Sequence, residues 1–209
     1  MRLFLSSAYL PPVEYFAAIA RYGGALVEAC ENYQKQSWRN RCTILTANGK
    51  MNLNIPVLRG GDDCTHSLPI TAIEIDYQEN WPIRHIRAME AAYRNSPFFE
   101  YYIDDISAIL LKKEKNLFQL NLSLTKLLLR FCGIKAELGL TEEFVADYKD
   151  DAVDLRNRIH PKSKLPYVMK EWGIEKPWWQ VFAPQGFVSG LSIVDLLFNE
   201  GPNAISFLV

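Results

Sequence analysis

The chain has 209 residues, 49% of them hydrophobic, which is enough to bury one sizeable core. Its 23 lysines and arginines balance 24 acids, so no strong net charge is available to attract nucleic acid or an anionic membrane surface. We therefore expect neither as a partner.

The sequence also bears on domain organisation and cellular location. No apolar run is long enough to span a bilayer, and the N-terminal apolar run is too short for a signal peptide. Four cysteines without metal-binding spacing predict reduced thiols in a cytoplasmic protein. With no repeat or flexible linker, residues 1–209 are expected to form a single domain. The oligomeric state stays open.

The first thirty residues predict a βαβ unit. Residues 3–7 form a short buried strand, a helix follows over residues 13–21 after two prolines, and a second strand covers residues 25–29 after two glycines. A right-handed βαβ unit has its ligand crevice at the carboxyl ends of its strands. Residues 7–12 and 30–36 are therefore expected to open onto this crevice.

A β-hairpin is predicted next. Residues 41–47 and 50–58 flank an Asn-Gly dipeptide, which suits the positive φ angles of a tight turn. A polar loop over residues 59–67 leads to an alternating apolar and polar run at residues 73–77. Together with the βαβ unit, these runs predict a mixed sheet.

The second half predicts mostly helices. Apolar positions recur at helical spacing over residues 81–95, 98–112, 117–131, 191–199 and 202–208. A short strand is expected at residues 136–140, and three prolines between residues 160 and 177 predict an irregular segment. We therefore predict an α/β fold in which a mixed sheet, from an N-terminal βαβ unit plus a β-hairpin, packs against helices from the second half.

The stretch ENYQKQSWRNRC, residues 31–42, concentrates cations and amides just after the second strand. Arg39 and Arg41 leave the same face if the hairpin strand begins by residue 39, and they can then clamp one carboxylate or phosphate. Lys35 adds a point charge and Asn40 an amide, so all four are candidate ligand-binding residues. Alternatively, charges at a strand start simply protect a sheet edge against aggregation.

Two further polar sets are candidate ligand contacts. Tyr9 and Tyr15 flank the paired prolines after the first strand, where their hydroxyls either meet a ligand or lie half-buried at the rim of a rigid turn. Asp195 and Asn199 are four residues apart on a C-terminal helix, where they either line a pocket or cap helices.

His85 and Glu31 are the candidate catalytic residues. His85 falls on a predicted helix, whereas His66 lies in a loop and His160 precedes a proline. Its ordinary pKa near neutrality suits acid or base chemistry, although a lone helical histidine also serves structural roles. Glu31, beyond the second strand, is an alternative base. No motif predicts a metal site or a glycine-rich phosphate loop, so the cofactor is unknown.

Several segments, taken together, resemble the WbqC-like protein family. They are YLPPVEYFAAIA, ENYQKQSWRNRC, the ILTANGKMNLNIPV hairpin, WPIRHIRAMEAAYRNSPFFEYY, DLRNRIHPK and SIVDLLFNEGPNA. Members more commonly show a QPYxxPxxGYF opening, to which this chain is similar at Tyr9, Pro12, Tyr15 and Phe16. A second motif, KxGWxNRN, is matched at Lys35, Trp38, Asn40 and Arg41, with Ser37 replacing its glycine.

The resemblance implies a family without an established reaction, some of whose members accompany genes for O-antigen or other surface-polysaccharide synthesis. Transfer of glycine or a similar aminoacyl group to a sugar is the role it implies. Two hypotheses follow. The protein is either a transferase that uses an activated anionic donor, or a noncatalytic protein that binds a small anionic metabolite or a pathway partner.

Overall fold

The computed structural model describes residues 1–58, 68–148, 152–183 and 186–209. The loop predicted at residues 59–67, with His66, lies outside them. The strands are β1 (Arg2–Ser6), β2 (Gly24–Glu28), β3 (Arg41–Thr46), β4 (Gly49–Asn54), β5 (Glu137–Leu140) and β6 (Ala152–Asp154). The helices are α1 (Val13–Tyr22), α2 (Trp81–Tyr93), α3 (Phe99–Leu111), α4 (Leu117–Phe131), α5 (Val168–Glu171) and α6 (Ile193–Glu200).

The predicted βαβ unit is confirmed, and it forms the middle of a parallel sheet. Strands β1 and β2 pair in parallel, with Phe4 opposite Leu26, and the complete order is β5-β2-β1-β6. The strand order changes direction at β1, because β2 lies on one side of it and β6 on the other. In parallel sheets, ligands bind beyond the carboxyl ends of the strands at such a switch point.

Helix α1 packs against β1 and β2 of this sheet, and α6 packs against α1 and against β3 of the hairpin. Leu3 and Leu5 of β1 belong to the core, and Phe16 and Ile19 of α1 have no exposed surface. Burying each such side chain stabilises the fold by about 1.5–3 kcal/mol. Because α1 is buried almost all round, its N-terminal end is held firmly beside the carboxyl ends of the strands.

The predicted hairpin is confirmed, but it forms a sheet of its own. Strands β3 and β4 pair antiparallel from Arg41 opposite Asn54 to Thr46 opposite Gly49. The alternating run at residues 73–77 keeps its alternating burial yet meets its neighbours only through isolated bridges, such as Val57 with Ile75. The parallel and antiparallel strands of the α/β fold therefore lie in two sheets.

The hairpin has one buried and one polar face. Cys42, Ile44 and Leu53 enter the core, whereas Thr43 and Asn52 form a cross-strand pair on the opposite face, where their side chains are hydrogen-bonded at 2.7 Å. This polar face lines the groove described below.

The predicted helices of the second half are confirmed. Helices α2, α3 and α4 follow the periodicity of the sequence, and α6 continues into a 3-10 helix over Gly201–Phe207. Within the described part of the chain, no helix is both long and apolar enough to cross a membrane.

Candidate functional site

Two buried ion pairs lie at the carboxyl ends of the parallel strands. In the first, Arg156 Nη1 donates to Glu28 Oε2 at 2.6 Å, and Thr141 Oγ1 donates to Glu28 Oε1 at 2.5 Å. Arg156 also binds Asp154 through Nε at 2.9 Å. Since Glu28 is wholly buried, this network satisfies a charge that would otherwise be costly.

The second pair joins Arg39 to Glu31. Arg39 Nε donates to Glu31 Oε1 at 2.8 Å, and Arg39 Nη2 donates to Ser6 Oγ at 2.9 Å. Burial raises the pKa of Glu31, and the neighbouring Arg39 opposes that rise. Ser6 Oγ lies 3.3 Å from the Arg156 carbonyl, so one hydroxyl connects the two pairs.

A groove of about 660 Å³ lies between the polar face of the hairpin and the segment 158–167. Its basic lining residues are Arg41, Lys50, Arg158, His160, Lys164 and Lys170, and its acidic ones are Glu14 and Glu175. Cations therefore outnumber carboxylates on its walls, and such an excess of positive charge can attract an anion.

Two of the cations are already engaged within the protein. Arg158 pairs with Glu171 at 2.7 Å, and Lys50 Nζ donates to the Ser189 carbonyl at 2.8 Å. Among the described residues, no carboxylate lies within ion-pair distance of Arg41, Lys164 or Lys170. These three side chains are the ones that can meet the charge of a ligand.

His160 adds a neutral hydrogen-bond donor. Burial lowers its pKa, and the nearby Arg39 and Arg41 lower it further, so the ring is neutral at pH 7. Its Nδ1 accepts a hydrogen bond from the Lys162 amide at 3.1 Å. The proton of the neutral ring is therefore assigned to Nε2, which can donate to a ligand oxygen.

Glu14, on the first turn of α1, is a buried carboxyl group that lines the groove. Its Oε2 accepts from the Val168 amide at 2.9 Å, and only 6% of its surface is exposed. Burial raises its pKa to about 7, although the amide bond and Arg158 oppose the rise. Near neutral pH the carboxyl group is therefore present in both forms and can accept or donate a proton.

A small recess lies next to the groove, beyond the carboxyl end of β1. Its volume is about 10 Å³, and it shares Trp38 and His160 with the groove. Ser7 Oγ and Trp38 Nε1 are buried without a hydrogen-bond partner among the described residues. Both residues line the recess.

The predicted cation cluster is divided between interior and surface. Residues 38–40 form a 3-10 turn and β3 begins only at Arg41, so Arg39 and Arg41 do not share a strand face. Arg39 is buried against Glu31, whereas Arg41 lines the groove. Lys35 is exposed, and Asn40 donates to the Ile55 carbonyl at 2.9 Å beside a second pocket that Arg41 also borders.

The other predicted residues lie inside the protein. His85 Nδ1 lies 2.9 Å from the Tyr9 hydroxyl, and burial lowers the pKa of His85 to about 4. Tyr15 lines the recess, and its hydroxyl donates to the Ser6 carbonyl at 3.1 Å. These bonds favour structural roles for Tyr9 and His85, while the catalytic assignment of His85 stays a prediction.

Asp195 and Asn199 share one helix face but do not line the groove. Asp195 Oδ2 accepts from Trp178 Nε1 at 2.8 Å and from Gln180 Nε2 at 2.9 Å. Asn199 Nδ2 donates to the Asp195 carbonyl at 2.7 Å. The Asp195 bonds join α6 to the segment before it, whereas the Asn199 bond lies within the helix. The ligand-binding assignment of the pair stays a prediction.

Several residues of the groove and of the recess beside it were missed by the sequence analysis. Arg156, Arg158 and His160 occupy every second position of DLRNRIHPK, and this pattern carries more chemistry than the single proline of the segment indicated. Glu14 gave no signal, since an acid on the first turn of a helix is commonplace.

Comparison with known proteins places this arrangement in a family. The chain is 27% identical over 226 aligned residues to an uncharacterized protein, Rv1507c, of Mycobacterium tuberculosis (strain ATCC 25618 / H37Rv); the alignment covers 98% of this chain and 95% of that protein. No solved structure matches the chain. The model of the WbqC-like protein family matches residues 6–165, which include both buried ion pairs and most of the groove. The chain therefore belongs to the WbqC-like protein family.

Proposed function

We propose that the groove binds the anionic part of a small activated donor and that the protein transfers an aminoacyl group, such as glycine, or a related group from it. The observation that carries the proposal is the convergence of Arg41, Lys164 and Lys170 on one groove without carboxylate partners among the described residues. A role in surface-polysaccharide synthesis rests on the resemblance that the sequence motifs carry.

The groove suits a ligand of this class in size and charge. Its volume of about 660 Å³ falls within the range of small-molecule pockets. The planar fork of Arg41 matches a phosphate or carboxylate, and the two lysines add mobile point charges. It adjoins the carboxyl ends of the strands, where parallel sheets bind ligands.

Glu14 and His160 supply the chemistry in this proposal. The amine or hydroxyl of an acceptor attacks the carbonyl carbon of the donor, and the ionised Glu14 takes the proton that the nucleophile loses. The leaving group departs with the bonding electron pair as an anion held by the cations. His160 Nε2–H donates to an oxygen of the bound ligand. His85 and Glu31, predicted as bases, are better suited to positioning, given their bonds to Tyr9 and Arg39.

Calorimetry with the double variant Arg41→Ala/Lys164→Ala tests the groove. The probes are inorganic pyrophosphate, nucleotide sugars and a non-hydrolysable aminoacyl adenylate. Losing two charge-assisted contacts is expected to weaken binding by roughly 100-fold or more. The control Arg87→Ala/Lys126→Ala removes the same charge from exposed helical positions outside the groove. Equal affinity in both double variants would remove the groove from the proposal.

A noncatalytic binding protein is the second candidate. It is favoured by the internal hydrogen bonds of His85 and Glu31, which leave both predicted bases engaged. Glu14→Gln separates the two functions, because it keeps an acceptor for the Val168 amide but cannot take a proton. A transferase loses turnover in this variant and keeps its probe affinity. If the unmodified protein binds the adenylate but transfers nothing to amines or sugars, the binding function is supported.

A further inference from the structure

The recess beside the groove is placed where a reacting group would be expected. Ser7 follows β1 directly, and β1 is the strand at which the order of the parallel sheet reverses. Trp38 and His160 line both cavities, so the recess adjoins the inner side of the groove.

Two residues that line the recess each carry a polar atom without a hydrogen-bond partner in the described protein. Ser7 Oγ and Trp38 Nε1 are both buried, and Ser7 as a whole is 2% exposed. Leaving such a group without a partner is costly, so buried polar atoms almost always have one. A bound oxygen atom that is not part of the polypeptide would give these groups a partner.

The size and polarity of the recess indicate what that atom is. A volume of about 10 Å³ has room for one water-sized group. The indole Nε1–H can only donate and the Ser7 hydroxyl can donate. His160 also lines the recess, and its assigned tautomer offers a third donor. Three donors favour an oxygen that accepts hydrogen bonds and disfavour an ammonium group, which can only donate.

We infer that the recess binds one oxygen atom, carbonyl, carboxylate or phosphoryl, of the ligand whose remaining anionic part lies in the groove. This inference rests on the proposed function and names the group that the site orients. In acyl transfer, the oxygen would be the one that gains charge as the nucleophile adds, so donors placed there stabilise the transition state.

NMR of the indole groups in the full-length protein tests the inference with inorganic phosphate and pyrophosphate as probes. The signal of Trp38 Nε1–H is assigned from its loss in Trp38→Phe. Trp178, whose Nε1 donates to Asp195 at 2.8 Å, serves as an internal reference. We expect the Trp38 signal to shift with the same saturation curve as the backbone amides of the groove, while the Trp178 signal stays in place.

Two variants complete the test. Trp38→Phe and Ser7→Ala are each expected to weaken phosphate or pyrophosphate binding by about tenfold, the effect of one hydrogen bond to an anion. Ser7→Ala removes a single oxygen from a small buried residue, which keeps the test valid if the tryptophan variant does not fold. Arg41→Ala/Lys164→Ala is expected to abolish the shifts of the groove amides as well.

The outcomes separate this inference from the proposed function. If the groove amides saturate while the Trp38 signal stays fixed and both recess variants bind as tightly as the parent, the recess holds only a structural water and the inference is overturned. The groove proposal survives that result. If neither probe shifts any groove amide, both proposals are overturned.

Discussion

Arg39 and Glu31 form a two-point ion pair inside the protein, with Arg39 Nε 2.8 Å from Glu31 Oε1 and the Arg39 side chain 2% exposed. We predict that Arg39→Met lowers the free energy of unfolding by about 3–5 kcal/mol, because it leaves a buried carboxylate without its counter-charge. Urea denaturation at pH 7 measures the change.

The double variant Arg39→Met/Glu31→Leu is the informative comparison. Since it removes both charges, we expect it to recover most of the lost stability. If the single and double variants were equally unstable, packing around Arg39, and not the isolated charge, would explain the loss.

Because of the raised pKa of Glu14, we predict that the free energy of unfolding falls toward alkaline pH. Its pKa rises from an ordinary 4.5 to about 7 in the folded protein, so between these values the folded state binds more protons than the unfolded state. Stability from this group is therefore full below pH 4.5 and is lost as the pH rises through 7, by roughly 3 kcal/mol. Arg158, Glu171, Glu175 and Tyr167 are the ionisable groups that face it.

Denaturation of Glu14→Gln between pH 4.5 and pH 8 checks this prediction. The variant should lack the alkaline loss, whereas Glu100→Gln, at an exposed position of α3, should retain it. If the free energies of unfolding of Glu14→Gln and of the parent protein changed equally with pH, the carboxyl group would not titrate in this range.

For His85 we predict the opposite pH dependence, in which the free energy of unfolding falls toward acid pH. Burial lowers its pKa from 6.5 to about 4, so between these values the unfolded state binds more protons. Its contribution is therefore present above pH 6.5 and is lost as the pH falls toward 4, by roughly 3 kcal/mol. His85→Gln should be less sensitive to acid than the parent in a denaturation series. Unchanged acid sensitivity would argue against a neutral buried ring.

Gly190 offers a test of the groove wall through backbone geometry. Both Gly190 and Gly23 have positive φ angles, of 73° and 71°, so alanine at either position costs about 1–2 kcal/mol in conformational strain. A Cβ atom at Gly190 would lie 1.9 Å from the Tyr167 hydroxyl, whereas one at Gly23 meets nothing within 4 Å.

We therefore expect Gly190→Ala to displace Tyr167, a groove residue, and to weaken pyrophosphate binding, while Gly23→Ala affects stability alone. Calorimetry and thermal unfolding of the two variants make the comparison. Equal pyrophosphate affinity in both would show that Tyr167 does not shape the bound state.

The sequence predicted those parts of the fold that depend on local patterns. The Asn-Gly dipeptide predicted the hairpin, and the leucine periodicity predicted the long amphipathic helix α4. By contrast, β6 has only three residues, too few for a period to appear, and it was missed. Its parallel pairing with β1 is a long-range contact that no local pattern contains.

The candidate site was predicted only in part, for the same reason. Arg41 begins β3 and lines the groove, as expected for a charged residue at the start of a strand. Arg39 lies two positions earlier and points into the protein, because residues 38–40 form a 3-10 turn. The partner of Glu28 is Arg156, which is 128 residues away in the chain. Single-sequence reasoning identifies charged residues, but not which of them neutralise one another in the fold.

The hydroxyl of Ser6 contacts both buried ion pairs. The charges of these pairs are held inside the protein, whereas the other charges of the groove lie at its periphery. Arg39 and Arg156 are neutralised by buried carboxylates. The electrostatic field in the groove therefore depends on peripheral side chains such as Lys164. Substitutions on that periphery can change which anion is preferred while the framework beneath keeps its shape. Divergence in ligand preference within this architecture is therefore expected to occur at the rim, without destabilising the strands.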